Sequence, residues 1–178
     1  GFDYVELARN HTDESLVGQH YALWMEDNGF KDWRNYFKSP TGTNDNQKWK
    51  WGIPEEFHYD AWITQKTNAL LEEYKNNNNN FFLWASFFDP HPPYLVPEPW
   101  DTMYDPNKIT LPHIIEGEHN NNPPHFKMTQ EKNPDFSAWE EKDGSYNHGF
   151  HSHLHDKKEL AKDISIYYGM ISLMDKYI

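Results

Sequence analysis

An imidazole and a carboxylate stand two residues apart in Asp89-Pro90-His91-Pro92-Pro93-Tyr94, on a backbone stiffened by three prolines. An imidazole held this way can donate a hydrogen bond to an anionic oxygen, or give a proton to a leaving group. Stiffening matters because a group already in position needs little ordering when a substrate arrives. Two other readings stay open on the residues alone. His91 can be a loop residue without a chemical role, or the Pro-Pro-Tyr stretch can be a docking peptide for a partner domain. A second concentration of imidazoles is His148, His151, His153 and His155, at spacings of three, two and two. These match no common structural zinc pattern and no single helix face. His148 and His151 are the leading candidates there for a substrate-facing loop, beside an ordinary solvated loop and a metal-binding loop.

Particular elements must position these groups. Phe81-Phe82-Leu83-Trp84-Ala85-Ser86-Phe87-Phe88 is a short, nearly unbroken apolar run, which predicts a strand buried on both faces of an α/β sheet. The prolines that follow forbid helix and central strand, so the chain leaves the sheet there as an extended loop. Ligands of open α/β sheets bind beyond the carboxyl ends of the strands, which is where Asp89 and His91 fall. Upstream, Ile63, Thr67, Leu70, Leu71 and Tyr74 share one face of a predicted helix capped by Asp60, and Asn76 to Asn80 form a turn after it. A first helix is expected within Asp13 to Asn28, stopped by Asn28-Gly29. Residues 38–54 read as loop. Residues 95–158 read as mostly irregular, a length that commonly carries function. From Glu159 onward, Leu160, Ile164, Tyr167, Ile171, Met174 and Ile178 trace an apolar stripe on a last helix.

The bulk composition bounds the rest. The 178 residues suffice for one ordinary domain. The apolar content leans on rings, with 8 Trp, 11 Tyr and 11 Phe, so many of them must line loops or clefts. A net charge of -12 speaks against a nucleic-acid groove and against adhesion to anionic lipid. The absence of cysteine removes disulfides and thiolate metal sites. No apolar run is long enough for a membrane span.

The string Phe82-Leu83-Trp84-Ala85-Ser86-Phe87-Phe88-Asp89-Pro90-His91-Pro92-Pro93-Tyr94 resembles the central strand and following loop of the sulfatase family, in the alkaline-phosphatase-like superfamily. Val96-Pro97-Glu98-Pro99, Tyr104-Asp105-Pro106 and Leu111-Pro112 follow in the family's order. Tyr167-Tyr168-Gly169-Met170-Ile171-Ser172-Leu173-Met174-Asp175 resembles the helix before the family's second metal-binding segment, and Gly1-Phe2-Asp3-Tyr4 the stretch after its Lys-Trp-His element. The resemblance implies an α/β fold: residues 1–178 as the internal, incomplete portion of one catalytic domain, an α/β/α sandwich with long irregular loops. It implies that His91 contacts the sulfate group from the leaving-group side. It further implies a formylglycine nucleophile and a Ca²⁺ ion, both held outside this chain, since no cysteine and no Ser-x-Pro-x-Arg element is present. By itself the chain is then expected to be inactive, with no metal ligand of its own.

The leading expectation is therefore sulfate-ester hydrolysis on a sulfated carbohydrate or similar ester, in a protein exported to the periplasm or secreted. A phosphonate or phosphate ester hydrolase of the same superfamily is the near alternative. A non-catalytic carbohydrate-binding protein is the distant one, with Trp49, Trp51, Trp100 and Trp139 as stacking rings in loops.

Overall fold

The computed structural model describes residues 1–9, 16–37, 48–113, 115–128 and 156–178. Its first helix, α1, spans His20–Asp27 and stops at Asn28 and Gly29, the latter at φ +87°. It starts later than the expected Asp13 because Gly18 sits at φ +67°, a left-handed conformation that no helical residue adopts.

The second helix, α2, spans Tyr59–Asn76 and is preceded by a 3₁₀ turn at Glu55–Phe57. Its cap is His58, not Asp60: His58 Nδ1 accepts a hydrogen bond from the Asp60 backbone N–H at 3.3 Å. Asp60 lies inside the first turn, where the positive end of the helix dipole favours an acidic side chain. The helix ends in the asparagine run, with Asn77 as C-cap and Asn78 at φ +51°.

Residues 81–88 depart from the expectation of a strand buried on both faces. They pair with no strand among the described residues, and Phe82 and Trp84 are 75% and 74% exposed. The described sheet is instead a parallel pair of short strands, β1 (Lys48–Lys50) and β2 (Tyr94–Val96), registered Lys48 to Tyr94 and Lys50 to Val96. Both lie in segments that read as loop from sequence. A parallel ladder is non-local, and a three-residue strand leaves no period to detect.

A short helix, α3 (Pro124–Met128), precedes the last one, α4 (Lys157–Tyr177). The Asp156 carboxylate caps α4, accepting from the N–H groups of Lys158 and Glu159 at 2.9 and 3.2 Å. Its buried face is Leu160, Met170 and Leu173, with Ile166 and Tyr177 partly buried. Of the expected stripe only Leu160 is buried; Tyr167, Ile171 and Ile178 are exposed. The two stripes differ by about one residue, a 100° rotation, and both carry apolar side chains at helical spacing. Periodicity alone could not choose between them.

Two cores result. The larger packs Tyr21, Met25, Trp33, Phe37, Trp51, Ile53, Tyr59, Trp62, Ile63 and Leu95. The smaller joins Val96 of β2 to Met170 and Leu173 of α4. Between them Glu55 ties three elements: it accepts from Trp100 Nε1 at 2.7 Å and from the Tyr177 hydroxyl at 2.8 Å, and it pairs with Lys176. Burial pushes the Glu55 carboxyl up, yet these donors outweigh it and hold it below the usual carboxylate range. Gly169 fixes how closely α4 approaches the turn at Trp100–Thr102, since a Cβ there would lie 2.1 Å from the Trp100 carbonyl oxygen. Substituting Gly169→Ala is expected to destabilise the fold by about 1–3 kcal/mol, as overpacking usually does. The check is the midpoint of urea unfolding, which should fall for Gly169→Ala.

Candidate functional site

The bend at residues 89–93 is built from its buried side outward. Asp89 is 5% exposed, while the next ionisable residue, His91, faces solvent. Pro93 is buried, as are Leu95 and Val96, so the chain is anchored on both sides of the imidazole. The His91 N–H donates to the Phe88 carbonyl at 3.0 Å. Its ring Nδ1 lies 2.5 Å from the Pro92 carbonyl, an acceptor only, which places the proton on Nδ1 in the neutral ring. The lone pair of the neutral ring is then on Nε2.

Beneath the bend, Asp89 meets the start of α2. The ligand atoms of His58, Asp60 and Asp89 all lie within 4.8 Å of one another, and all three residues are buried. The Tyr59 hydroxyl donates to Asp89 Oδ1 at 2.5 Å. His58 Nδ1 accepts from the Asp60 N–H, so the other nitrogen carries the proton, and Nε2 donates to the Leu95 carbonyl at 3.3 Å. Rings hold this arrangement from the sides: Trp51 meets His58 edge-on at 4.8 Å, and Phe88 meets Tyr59 edge-on at 5.7 Å. Both oxygens of Asp60 and the Oδ2 of Asp89 are buried with no donor from any other residue, and the two carboxyls meet each other.

The electrostatics follow from that geometry. Burial pushes the Asp60 carboxyl up to about 7, partly offset by the neighbouring Asp89 group. Asp89 is raised well above the carboxylate range, by burial first and by the Asp60 charge second, against the opposing Tyr59 hydrogen bond. The hydroxyls of Tyr21 and Tyr59 are likewise raised by burial and by these carboxylates. Without a bound cation the pair is most stable with at least one proton between its two carboxyls.

Of the residues singled out from sequence, Asp89 and His91 lie together on the bend, one facing inward and one outward. His148 and His151, with the rest of the histidine-rich loop, lie outside the described residues, as does Trp139. Trp51 is a core residue, 3% exposed, rather than a ring in a loop, and Trp100 is half-buried against Glu55. Sequence reasoning missed His58 and Asp60 as members of a site. The available signal was a His-x-Asp step at a helix start, which reads equally well as ordinary capping. The calcium ion that the resemblance implies finds no matching cage here. Among the described residues the one convergent group of such side chains is His58, Asp60 and Asp89, and an imidazole with two carboxylates falls short of six to eight oxygens.

No protein-family model matches the chain, and no curated protein is significantly similar to it. Among the described residues no helix is long and apolar enough to cross a membrane.

The raised carboxyls give a signed expectation. Their folded pKa values lie above the unfolded ones, so the unfolded chain releases these protons first as pH rises. Their stabilising contribution is complete below about pH 4 and is lost as pH climbs through about 7. In metal-free buffer, unfolding free energy should fall over that window by up to about 1.4 kcal/mol per pH unit for each proton. Asp60→Asn should flatten the slope; urea unfolding at stepped pH measures it.

Proposed function

We propose that this chain supplies the leaving-group side of a sulfuric ester hydrolase that acts on a sulfated carbohydrate, within an α/β/α sandwich of the alkaline-phosphatase-like kind. One observation carries the reading: His91 is an exposed imidazole on a bend anchored by the buried Asp89, Pro93 and Leu95. Placement of that kind suits a group that must meet a substrate oxygen without first being ordered. The Nδ1 contact to the Pro92 carbonyl orients the ring. In the protonated ring Nε2–H then donates to the ester oxygen as the S–O bond breaks, and the alcohol leaves neutral. Formylglycine and Ca²⁺ are the groups that sulfatases use to attack sulfur and to neutralise sulfate oxygens. On the same resemblance both are held outside residues 1–178, so the chain's own part in the reaction is confined to the leaving group. Export to the periplasm or beyond belongs to the same proposal and rests on the resemblance.

A second reading draws on Phe82 and Trp84, whose exposed rings could stack on sugar faces. It makes the chain a carbohydrate-binding protein without catalysis. The two part company at His91. In the complete protein that carries this chain, His91→Ala should lower kcat on an unactivated sulfate ester by at least about a hundredfold. It should act much less on an aryl sulfate, whose phenolate leaves without a proton. Turnover of the alkyl ester within about threefold of the parent would remove His91 from the chemistry. Sugar binding by residues 1–178 alone, weakened by Trp84→Ala and untouched by His91→Ala, would favour the second reading.

A further inference from the structure

We infer that His58, Asp60 and Asp89 form a binding site for a divalent transition-metal ion, Zn²⁺ by preference, beneath the bend that carries His91. The inference stands on the geometry of these three residues and holds whether or not the chain belongs to a sulfatase.

Two ligands of one ion at ordinary metal–ligand distances of about 2.0–2.4 Å are separated by at most roughly 4–4.8 Å. Ligand atoms of the three residues all lie within 4.8 Å of one another, close enough to converge on a single ion with small side-chain adjustment. The polar atoms divide into an outer set held by neighbouring groups and an inner set whose contacts stay within the cluster. On the outer side, His58 Nε2–H donates to the Leu95 carbonyl and the Tyr59 hydroxyl donates to Asp89 Oδ1. A metal-ligating histidine characteristically gives its second N–H to a carbonyl or carboxylate, and ligating carboxylates are themselves hydrogen-bonded. On the inner side, Asp60 Oδ1, Asp60 Oδ2 and Asp89 Oδ2 are buried with no donor from any other residue, and the two carboxyls meet each other. His58 Nδ1 faces the same space, 3.8 Å from Asp60 Oδ2, and its contact with the Asp60 N–H is a long 3.3 Å. Coordination through Nδ1 gives up that one contact and keeps the ring's tautomer.

Charge points the same way. Two buried carboxylates without a cation are costly, and a divalent ion between them cancels both charges where a shared proton cancels one. An imidazole beside two carboxylates suits Zn²⁺ and its neighbours better than Ca²⁺ or Mg²⁺, which prefer all-oxygen sets.

The test is calorimetric titration of Zn²⁺ into the chelator-stripped chain at neutral pH. It uses a variant with H148A, H151A, H153A and H155A, so that the histidine-rich loop cannot contribute. One equivalent should bind, and thermal unfolding should move upward with metal. Asp89→Asn should weaken binding by at least about a hundredfold, and Tyr59→Phe, which removes only the outer hydrogen bond, by about 10- to 100-fold. Near-UV circular dichroism checks that the variants are folded. Because Asp60→Asn and Asp89→Asn alter a packed interior, Co²⁺ provides a second readout on the unsubstituted site. Its visible absorption should show nitrogen and oxygen ligation and saturate at one equivalent. No binding by the four-alanine variant, or the same affinity in folded Asp89→Asn, overturns the inference.

Discussion

Two carboxyl groups, Asp60 and Asp89, come together in the interior, and the arrangement around them depends on how their charge is balanced. Neither has a basic side chain as hydrogen-bond partner among the described residues. Water cannot solvate them there, so they must share a proton or hold a cation. That requirement fixes neighbouring structure. Tyr59 must turn its hydroxyl to Asp89, which locks the first turn of α2 against the end of the 81–88 segment. His58, as the α2 cap, must present Nδ1 inward and Nε2 to Leu95, which ties β2 to the same helix. Once β2 is placed, Val96 offers the surface on which Met170 and Leu173 of α4 pack.

The exposed imidazole of His91 inherits its position from this buried group. A bend of three prolines is stiff but needs anchoring to point anywhere in particular. Asp89 provides the anchor on one side, and Leu95 and Val96 on the other, with 0% and 1% exposure. The acidity beneath the bend also bears on the imidazole's use. A neutralised acid pair leaves the environment of His91 less negative than the chain's net charge of -12 suggests. The buried acid and the exposed imidazole thus lie within three residues of chain.

Much of the helical layout was legible in sequence, since α2 and α4 each carry apolar residues at spacings of three and four and the stop at Asn28-Gly29 is local. What failed was anything decided across distance. The cap of α2 is His58 rather than Asp60 because the helix begins at Tyr59, which puts Asp60 inside the first turn facing Asp89, 29 positions away. The buried face of α4 turned by one residue because β2 and the Trp100 turn, not the helix itself, chose it. Phe81–Phe88 had the composition of a buried strand, but strand burial needs partners, and no strand among the described residues pairs with it. At the site, Asp89 and His91 stood out because prolines flank them, whereas nothing near His58 or Asp60 marks them as half of a cluster.

The central claim is that Asp60 and Asp89 cannot both be ionised at neutral pH unless a cation lies between them. Carbon-13 NMR titration of the aspartate carboxyl groups, in the metal-stripped chain, tests it most directly. The pair should show a titration near pH 7, well apart from the exposed aspartates, and that step should vanish when one equivalent of Zn²⁺ is added. Two carboxyl resonances that both titrate in the ordinary range, around pH 4 with or without metal, would contradict the account.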